Sequence, residues 1–368
     1  MTTRLLAACS PGEVRVSVVQ DGALLDYAIW RPGRPDGVGD LLRGRVMARV
    51  PAMAGVFVAL PGTDGFLPDS EGGAGLSDGM AVGVRVTRAA QGGKGPRLTA
   101  SGVAPVSPGP PVLLSRGPGA VERLAALHPD APVIADNPAL VAQLRPALGA
   151  RIAVGPVLDD ALLGWIEALA SPDVPLPGGA RASIHPTPAL VAIDVDAGSA
   201  TSDRRAKPAA QMAANLAALP EIARQIRLRN LSGAILVDVA GMSLRRRPAL
   251  APAFAAALAG DPLRPRFLGF TVLGLAEIMR PRAHPPLHEL LRGPHPAGLA
   301  ALRELMVAAA AEPSVAFALR CAPDVAAALA DDAVALPDLA RRTGRPLIVQ
   351  PDPGLPPLGW TVERTARA

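Results

Sequence analysis

Two aspartates, Asp194 and Asp238, each close an apolar, β-branched run, LVAID at residues 190–194 and AILVD at residues 234–238. If the two runs are neighbouring strands, the carboxylates converge at the edge where open α/β sheets bind ligands. Converging carboxylates suit Mg2+, a hard cation that takes oxygen ligands, retains waters and bridges to substrate phosphate. Asp196, two residues further on, is placed to act as an outer ligand. A cation held in this way activates water and neutralises charge on phosphate, so phosphodiester hydrolysis needs no serine, cysteine or histidine nucleophile. The competing reading is that strand-end aspartates cap turns.

A second constellation lies upstream, in GVFVALPGTDGFLP with Phe57 and Phe66, followed by AAQGGKGPRLTAS with Lys94 and Arg97. Exposed aromatics on a small barrel stack nucleobases, worth about 1 to 3 kcal/mol per base, while nearby cations hold the backbone. The alternative is that both phenylalanines are core. Arg224, Arg227 and Arg229 precede Asp238, and Arg245, Arg246 and Arg247 follow it. They are expected to surround the carboxylates with positive charge that positions phosphates without reading sequence. His284, His288 and His295 are spread along a proline-rich stretch with no cysteine partner, which speaks against zinc.

These residues need elements to position them. Residues 12–30 alternate around Asp21-Gly22, the pattern of a hairpin with a type I′ turn. From Leu41 to Ala100, the runs RGRVMARV, GVFVAL, DGFLP, AVGVRVTRA and PRLTA are divided by glycine-containing turns, as in a small barrel. An α/β rhythm follows, with a capped helix start at Asp136-Asn137-Pro138. Then come the strand ending at Asp194, a polar AGSAT turn, and a helix opened by Pro208. Its expected apolar face is Met212, Leu216, Leu219, Ile222 and Ile226, with a kink at Pro220. The strand of Asp238, an alanine-rich helix and the strand RFLGFTV complete a unit with a mostly buried sheet. Residues 297–368 read as a further small domain.

The chain has 368 residues, 49% of them hydrophobic and 19% charged, which excludes both a disordered tail and a minimal stapled module. The net charge is +5, and all but two of the 37 basic residues are arginine, the exceptions being Lys94 and Lys207. This balance favours polyanionic partners. Cys9 and Cys321 are too few and too far apart for a disulfide framework or a cysteine-rich zinc site, and read as inert buried thiols. No long apolar segment is present, so no membrane association is expected and a reducing cytoplasm is the simplest compartment.

At these residues the chain resembles the ribonuclease E/G family. RGRVMARVPAMAGVFVALPGTDGFLP with GGKGPRLT is similar to the family's S1-type OB domain, where the residues matching Phe57, Phe66 and Lys94 contact RNA. LVAIDVDAGSAT, NLAALPEIARQIRLRNLSGAILVDVAGM and LGLAEIMR resemble the DNase I-like catalytic subdomain, with Asp194 and Asp238 matching its two magnesium-binding aspartates. APVIADNPALV and VPLPGGA match pieces of an RNase H-like subdomain that includes the N-terminal hairpin. The resemblance therefore implies a multidomain α+β fold. Its parts are an RNase H-like subdomain (1–35 and 105–183), an inserted S1-type OB barrel (36–104), a DNase I-like catalytic subdomain (184–290) and a small C-terminal α/β domain (296–368).

The implied function is Mg2+-dependent endonucleolytic hydrolysis of single-stranded RNA in RNA processing or decay, leaving a 5′-phosphate and a 3′-hydroxyl. Asp194 and Asp238 would be the catalytic metal ligands, and Phe57, Phe66, Lys94 and Arg97 would hold the strand. Two departures from the family pattern carry expectations. The segment bearing an Arg-Thr sensor of a 5′-monophosphate has no counterpart here, so cleavage should be indifferent to the 5′-end. The CPxC zinc-link is absent too, so a monomer or weak dimer is expected rather than a zinc-joined tetramer. Asp196 stands in place of an asparagine and Gly241 in place of an aspartate. Those two changes keep a second reading open, a non-catalytic RNA-binding protein with the OB surface intact.

Overall fold

The computed structural model describes residues 2–196 and 207–365. The polar turn expected at residues 197–201 lies outside them. As expected, the chain is a multidomain α+β protein, and it divides into two compact units. One is assembled from Met1–Pro35, Gly119–Ala170 and Leu287–Ala368, the other from Asp36–Pro118 and Ser171–Pro286.

In the first unit the strands Glu13–Gln20 and Ala23–Trp30 form the expected hairpin. Asp21 and Gly22 both have positive φ, 48° and 81°, as a type I′ turn requires. A strand that the pattern did not reveal, Thr3–Ser10, runs through the middle of the sheet. It is antiparallel to Glu13–Gln20 and parallel to Val133–Ala135, which in turn pairs with Ile152–Val154. Its Leu5, Leu6, Ala7 and Ala8 are all buried, so no period-two alternation marks it. Asn137 caps the helix Pro138–Leu148 as predicted, its Oδ1 accepting from the amides of Ala139 and Leu140 at 2.8 and 3.2 Å.

Residues from Pro294 onward build a three-stranded sheet, with Ala316–Cys321 between Ile348–Pro351 and Trp360–Thr365, packed by the helices Pro294–Ala311, Pro323–Ala330 and Ala335–Thr343. This segment joins the N-terminal sheet in one unit. At Gly12, whose φ is +73°, an added Cβ would lie 2.6 Å from the Cβ of Ala335. Only glycine fits there, for conformation and for space.

The junction is held by a buried charge. Glu13 is 2% exposed and accepts from Arg15, Arg31 and Arg303 at 2.9, 2.9 and 2.8 Å. Burial pushes its carboxyl upward, yet Arg303, Arg31 and Arg15 outweigh this and hold it below the ordinary glutamate value. Arg31 also donates to the carbonyl of Leu290 at 2.7 Å. Tyr27 is buried with this group, and burial pushes its phenol up to about 12.

In the second unit five strands close into a barrel: Leu41–Val50, Gly55–Leu60, Thr63–Pro68, Arg97–Thr99 and Ala81–Arg88, the last pairing back onto the first. These are the five runs picked out in the sequence. Val46, Val56, Val58, Leu67, Val84 and Leu98 fill the interior. Val112–Ser115 adds to the barrel alongside Leu41–Val50. The barrel portion thus reaches beyond residue 104.

A six-stranded sheet makes up the rest of this unit, in the order Asp173–Pro175, Arg181–Pro186, Val191–Asp196, Gly233–Asp238, Ala276–Arg280 and Arg266–Phe270. Residues 173–183 accordingly pair in this sheet rather than in the first unit. Val191–Asp196 and Gly233–Asp238 are parallel, joined through the helix Lys207–Leu228. That helix and Ala251–Leu258 cover one face, where Leu219, Ile222, Ile226, Phe254 and Leu258 pack on Ile193, Val195, Ile235 and Val237. The other face stays open, with Leu268 51% and Met279 39% exposed, so the sheet is half covered rather than mostly buried.

The helix itself differs from expectation at two points. It runs on through Pro220 without interruption, and Pro220 lies on the exposed side. Leu216 is 42% exposed, and Asn215, 1% exposed, takes its place in the buried stripe. Among the described residues, no helix is long and apolar enough to cross a membrane.

Glu13→Gln leaves Arg31 and Arg303 buried or half-buried without their counter-charge, and should lower the unfolding free energy by about 3 to 5 kcal/mol in a urea titration at neutral pH. The stabilisation from a depressed carboxyl is present above the unfolded-state value of about 4.3 and is lost as pH falls through the lower folded value. The gap between wild type and variant should therefore narrow below about pH 4. Equal urea midpoints at neutral pH would contradict this role for Glu13.

Candidate functional site

The two aspartates singled out first are direct register partners, with Asp194 on one parallel strand opposite Asp238 on the next. Period-two alternation puts Ile193, Val195 and Val237 into the core and turns both carboxylates to the open face. Adjacent strands lie about 4.8 Å apart, so the two side chains leave the sheet as neighbours. Both are accessible, Asp194 exposed and Asp238 half-exposed. Asp196, also exposed, projects from the same face, and its register partner is Arg181. Glu277, which no motif of the sequence marked, faces the same way, opposite Leu236.

One arginine of the expected cationic surround reaches the site. Arg247 Nη1 donates to Asp238 Oδ1 at 2.7 Å and to the carbonyl of Gly274 at 2.8 Å, and its Nε donates to the carbonyl of Met242 at 3.0 Å. The guanidinium is only 12% exposed, so it fixes one Asp238 oxygen from below and leaves the other to solvent. Gly274 makes the room: with φ +86°, a Cβ there would lie 2.4 Å from Leu244 and 3.0 Å from Cδ of Arg247.

Arg224, Arg227 and Arg229 are engaged elsewhere. Arg224 pairs with Glu221 at 2.7 Å, Arg227 donates to the carbonyl of Gly260 at 3.0 Å, and Arg229 donates to Gln225 and to the carbonyl of Ser171 at 2.8 and 2.6 Å. They lie where the helix ends, before the amino end of the Gly233–Asp238 strand, whereas Asp238 is at the carboxyl end. Sequence proximity to Asp238 was misleading because the whole length of a strand intervenes. Arg245 and Arg246 are exposed.

A residue missed in the sequence holds the loop behind Asp238. Asn215 accepts from the Ala240 amide at 2.9 Å and donates to the Ala240 carbonyl at 3.0 Å, so one side-chain amide satisfies both backbone groups of that residue. Its signal was a polar residue within the stripe 215, 219, 222, 226. Gly241 follows at φ +60°, where a Cβ would meet the Gln211 side chain at 2.6 Å.

The carboxylates offer hard oxygen donors at the open edge, the donor chemistry that a divalent cation keeping several waters requires. Two protein carboxylates are enough for such an ion. Among the described residues no group of three or more His, Cys, Asp or Glu forms a fuller cage. His284 instead lies 2.6 Å from Asp36, and His295 lies 2.7 Å from Asp332. Cys9 and Cys321 are free and buried, and burial pushes both thiols up, away from reactivity.

On the barrel, Phe57 and Phe66 are cross-strand partners with ring centroids 5.5 Å apart in an edge-on arrangement. Both point outward and are half-buried, not core. Gly55 leaves space for the Phe66 ring, since a Cβ there would come within 2.5 Å of it. Arg97 is the register partner of Phe66 on the neighbouring strand and is exposed. Lys94, also exposed, sits on the short turn in which Gln91 and Lys94 pair through their backbones.

Residues 161–283, the stretch containing both aspartates, match the model of the ribonuclease E/G family. Ribonuclease E of Nostoc sp. is 42% identical over 132 residues, which covers 36% of this chain and 19% of that protein. Ribonuclease E of Escherichia coli (strain K12) is 36% identical over 125 residues, 34% of this chain and 12% of that protein. Ribonuclease G of the same strain is 31% identical over 119 residues, 32% of this chain and 24% of that protein. The matched stretch thus spans no more than about a quarter of these relatives. Through its 161–283 segment the chain is similar to the ribonuclease E/G family.

Asn215→Ala deprives both backbone groups of Ala240 of their partner and should cost about 2 to 3 kcal/mol of unfolding free energy. Leu216→Ala, on the exposed side, should change it by less than about 0.5 kcal/mol. Urea titration of the two variants side by side checks the order, and the reverse order would place the helix face one residue away.

Proposed function

We propose that the chain is a Mg2+-dependent endoribonuclease that hydrolyses single-stranded RNA in RNA processing or decay, leaving a 5′-phosphate and a 3′-hydroxyl. The observation that carries this reading is the in-register pairing of Asp194 with Asp238 at the open edge of a helix-backed sheet. The family assignment of that same segment supports it. In this reading the barrel is an S1-type OB domain, the six-stranded sheet a DNase I-like catalytic subdomain and the N-terminal sheet an RNase H-like subdomain. The protein would act in the cytoplasm as a monomer or weak dimer.

Asp194 and Asp238 would hold the cation, which when bound neutralises phosphate charge and lowers the pKa of a coordinated water. Arg247 orients Asp238 by keeping one of its oxygens occupied, so the other faces the open edge. Phe57 and Phe66 offer ring surface to two bases, while Lys94 and Arg97 hold the backbone. No histidine or cysteine of the chain is required.

A 5′-labelled, AU-rich single-stranded RNA incubated with the protein should be cut internally with Mg2+ and left whole with EDTA. Asp194→Asn and Asp238→Asn should each lower the cleavage rate by at least about two orders of magnitude while circular dichroism shows the fold retained. RNA that is bound but never cut, equally by wild type and both variants, would instead establish a binding protein. In the same assay, 5′-monophosphate and 5′-triphosphate forms of one RNA should be cleaved at equal rates. A marked preference for the monophosphate would show that the chain senses the 5′-end.

A further inference from the structure

Next to the aromatic pair the barrel carries an unbalanced positive charge of which the proposed function uses Arg97 alone. Arg88 and Arg97 are register partners on adjacent antiparallel strands, which places two like charges directly opposite each other. Such a pair is destabilising unless something offsets it. A third arginine adds to it. The strand carrying Arg88 runs into Ala89, whose amide donates to the carbonyl of Ala283 at 2.8 Å, and Gln91 Nε2 donates to the same carbonyl at 3.4 Å. This docks Arg282 beside the arginine pair. The Arg282 guanidinium lies against Gly233, where a Cβ would come within 2.5 Å of it.

No described residue neutralises the group. Among the described residues no carboxylate pairs with Arg88, Arg97 or Arg282, and the Nε of Arg88 is buried with no hydrogen-bond partner. Burial, then Arg97 and Arg282, hold the Arg88 guanidinium below the ordinary arginine value. Arginine forks are shaped for bidentate contact with oxyanions. The position specifies which oxyanion: Phe57, Phe66, Arg97 and Arg88 follow one another across four neighbouring strands, a stripe about 14 Å long that begins in base-stacking rings and ends in cations.

We infer that Arg88, Arg97 and Arg282 form a phosphate subsite that grips a backbone phosphodiester of a single RNA strand whose bases stack on Phe57 and Phe66. This inference rests on the reading of the barrel as an RNA surface and adds Arg88 and Arg282 to it. The subsite is set by the docking of the barrel hairpin on the segment after the Ala276–Arg280 strand, so only the assembled unit completes it.

The test uses the full chain and a fluorescein-labelled single-stranded RNA, with affinity measured by anisotropy across a range of salt concentrations. Wild type is compared with Arg88→Gln, Arg282→Gln and Phe57→Ala. Each arginine variant should bind about tenfold more weakly at low salt. Each should also show a log–log salt slope shallower by about 0.7, the loss of one phosphate contact on a single strand. Phe57→Ala should weaken binding without changing the slope. Arg88→Gln should meanwhile leave the thermal midpoint of the free protein unchanged or raised, because it relieves repulsion. A purely structural role would lower that midpoint. Unchanged slopes in both arginine variants, with Phe57→Ala weakened, would overturn the subsite and leave the RNA surface standing. Wild type that does not bind RNA would overturn both. Equal losses on poly-glutamate and on RNA would show a generic anion patch rather than a phosphodiester site.

Discussion

The site depends on one pairing, that of the parallel strands Val191–Asp196 and Gly233–Asp238 in a register that sets Asp194 against Asp238. A slip by one residue would turn a carboxylate into the core and a valine out to solvent. The register is fixed from behind, where Ile193, Val195, Ile235 and Val237 are gripped by the helices Lys207–Leu228 and Ala251–Leu258. Two like charges set side by side weaken a sheet on their own. Arg247 offsets part of that cost on Asp238, and a cation bridging both carboxylates would offset the rest. The sheet pairing therefore makes a place where positive charge is stabilising, and in the proposed function the same property would serve catalysis on phosphate.

The barrel shows the opposite balance. Its outer face sets Arg88 against Arg97, with no carboxylate among the described residues paired to either, so that face favours anions as the sheet edge favours cations. In the proposed function the two surfaces would take hold of a polyanion at separate points, by stacking and guanidinium contacts on the barrel and through metal on the sheet. Neither surface requires sequence recognition. Specificity for single strands would come from the rings, which need unpaired bases to stack on.

Much of this was legible in the sequence because alternation is strong where one face of a sheet is wet. The five barrel strands and the hairpin at Asp21-Gly22 follow from that pattern, while the runs ending in Asp194 and Asp238 stand out as apolar, β-branched segments closed by an acid. Thr3–Ser10 escaped because it is buried along most of its length and reads as a plain apolar run. The helix face was misjudged by one position, since alanines surround Asn215 and hydrophobicity alone preferred Leu216. The arginines divided for a different reason. Chain distance from Asp238 says nothing about which end of a strand a residue occupies: Arg224, Arg227 and Arg229 precede its amino end, whereas Arg247 follows its carboxyl end and bonds to Asp238. Its selection also needs the gap above Gly274, a feature of packing that no linear pattern carries.

The interleaving of the two units bears on how the chain is made. The second unit needs only residues 36–118 and 171–286, so its barrel and sheet can close while later residues are still being synthesised. The first unit waits. Its buried Glu13 finds Arg303 across 290 positions, and the cavity over Gly12 is filled only when the Ala335–Thr343 helix has emerged. Until then Thr3–Ser10 and its neighbours present a partly unsatisfied apolar surface, which makes nascent chains of this protein candidates for chaperone capture at their N-terminal end while the six-stranded sheet is already folded.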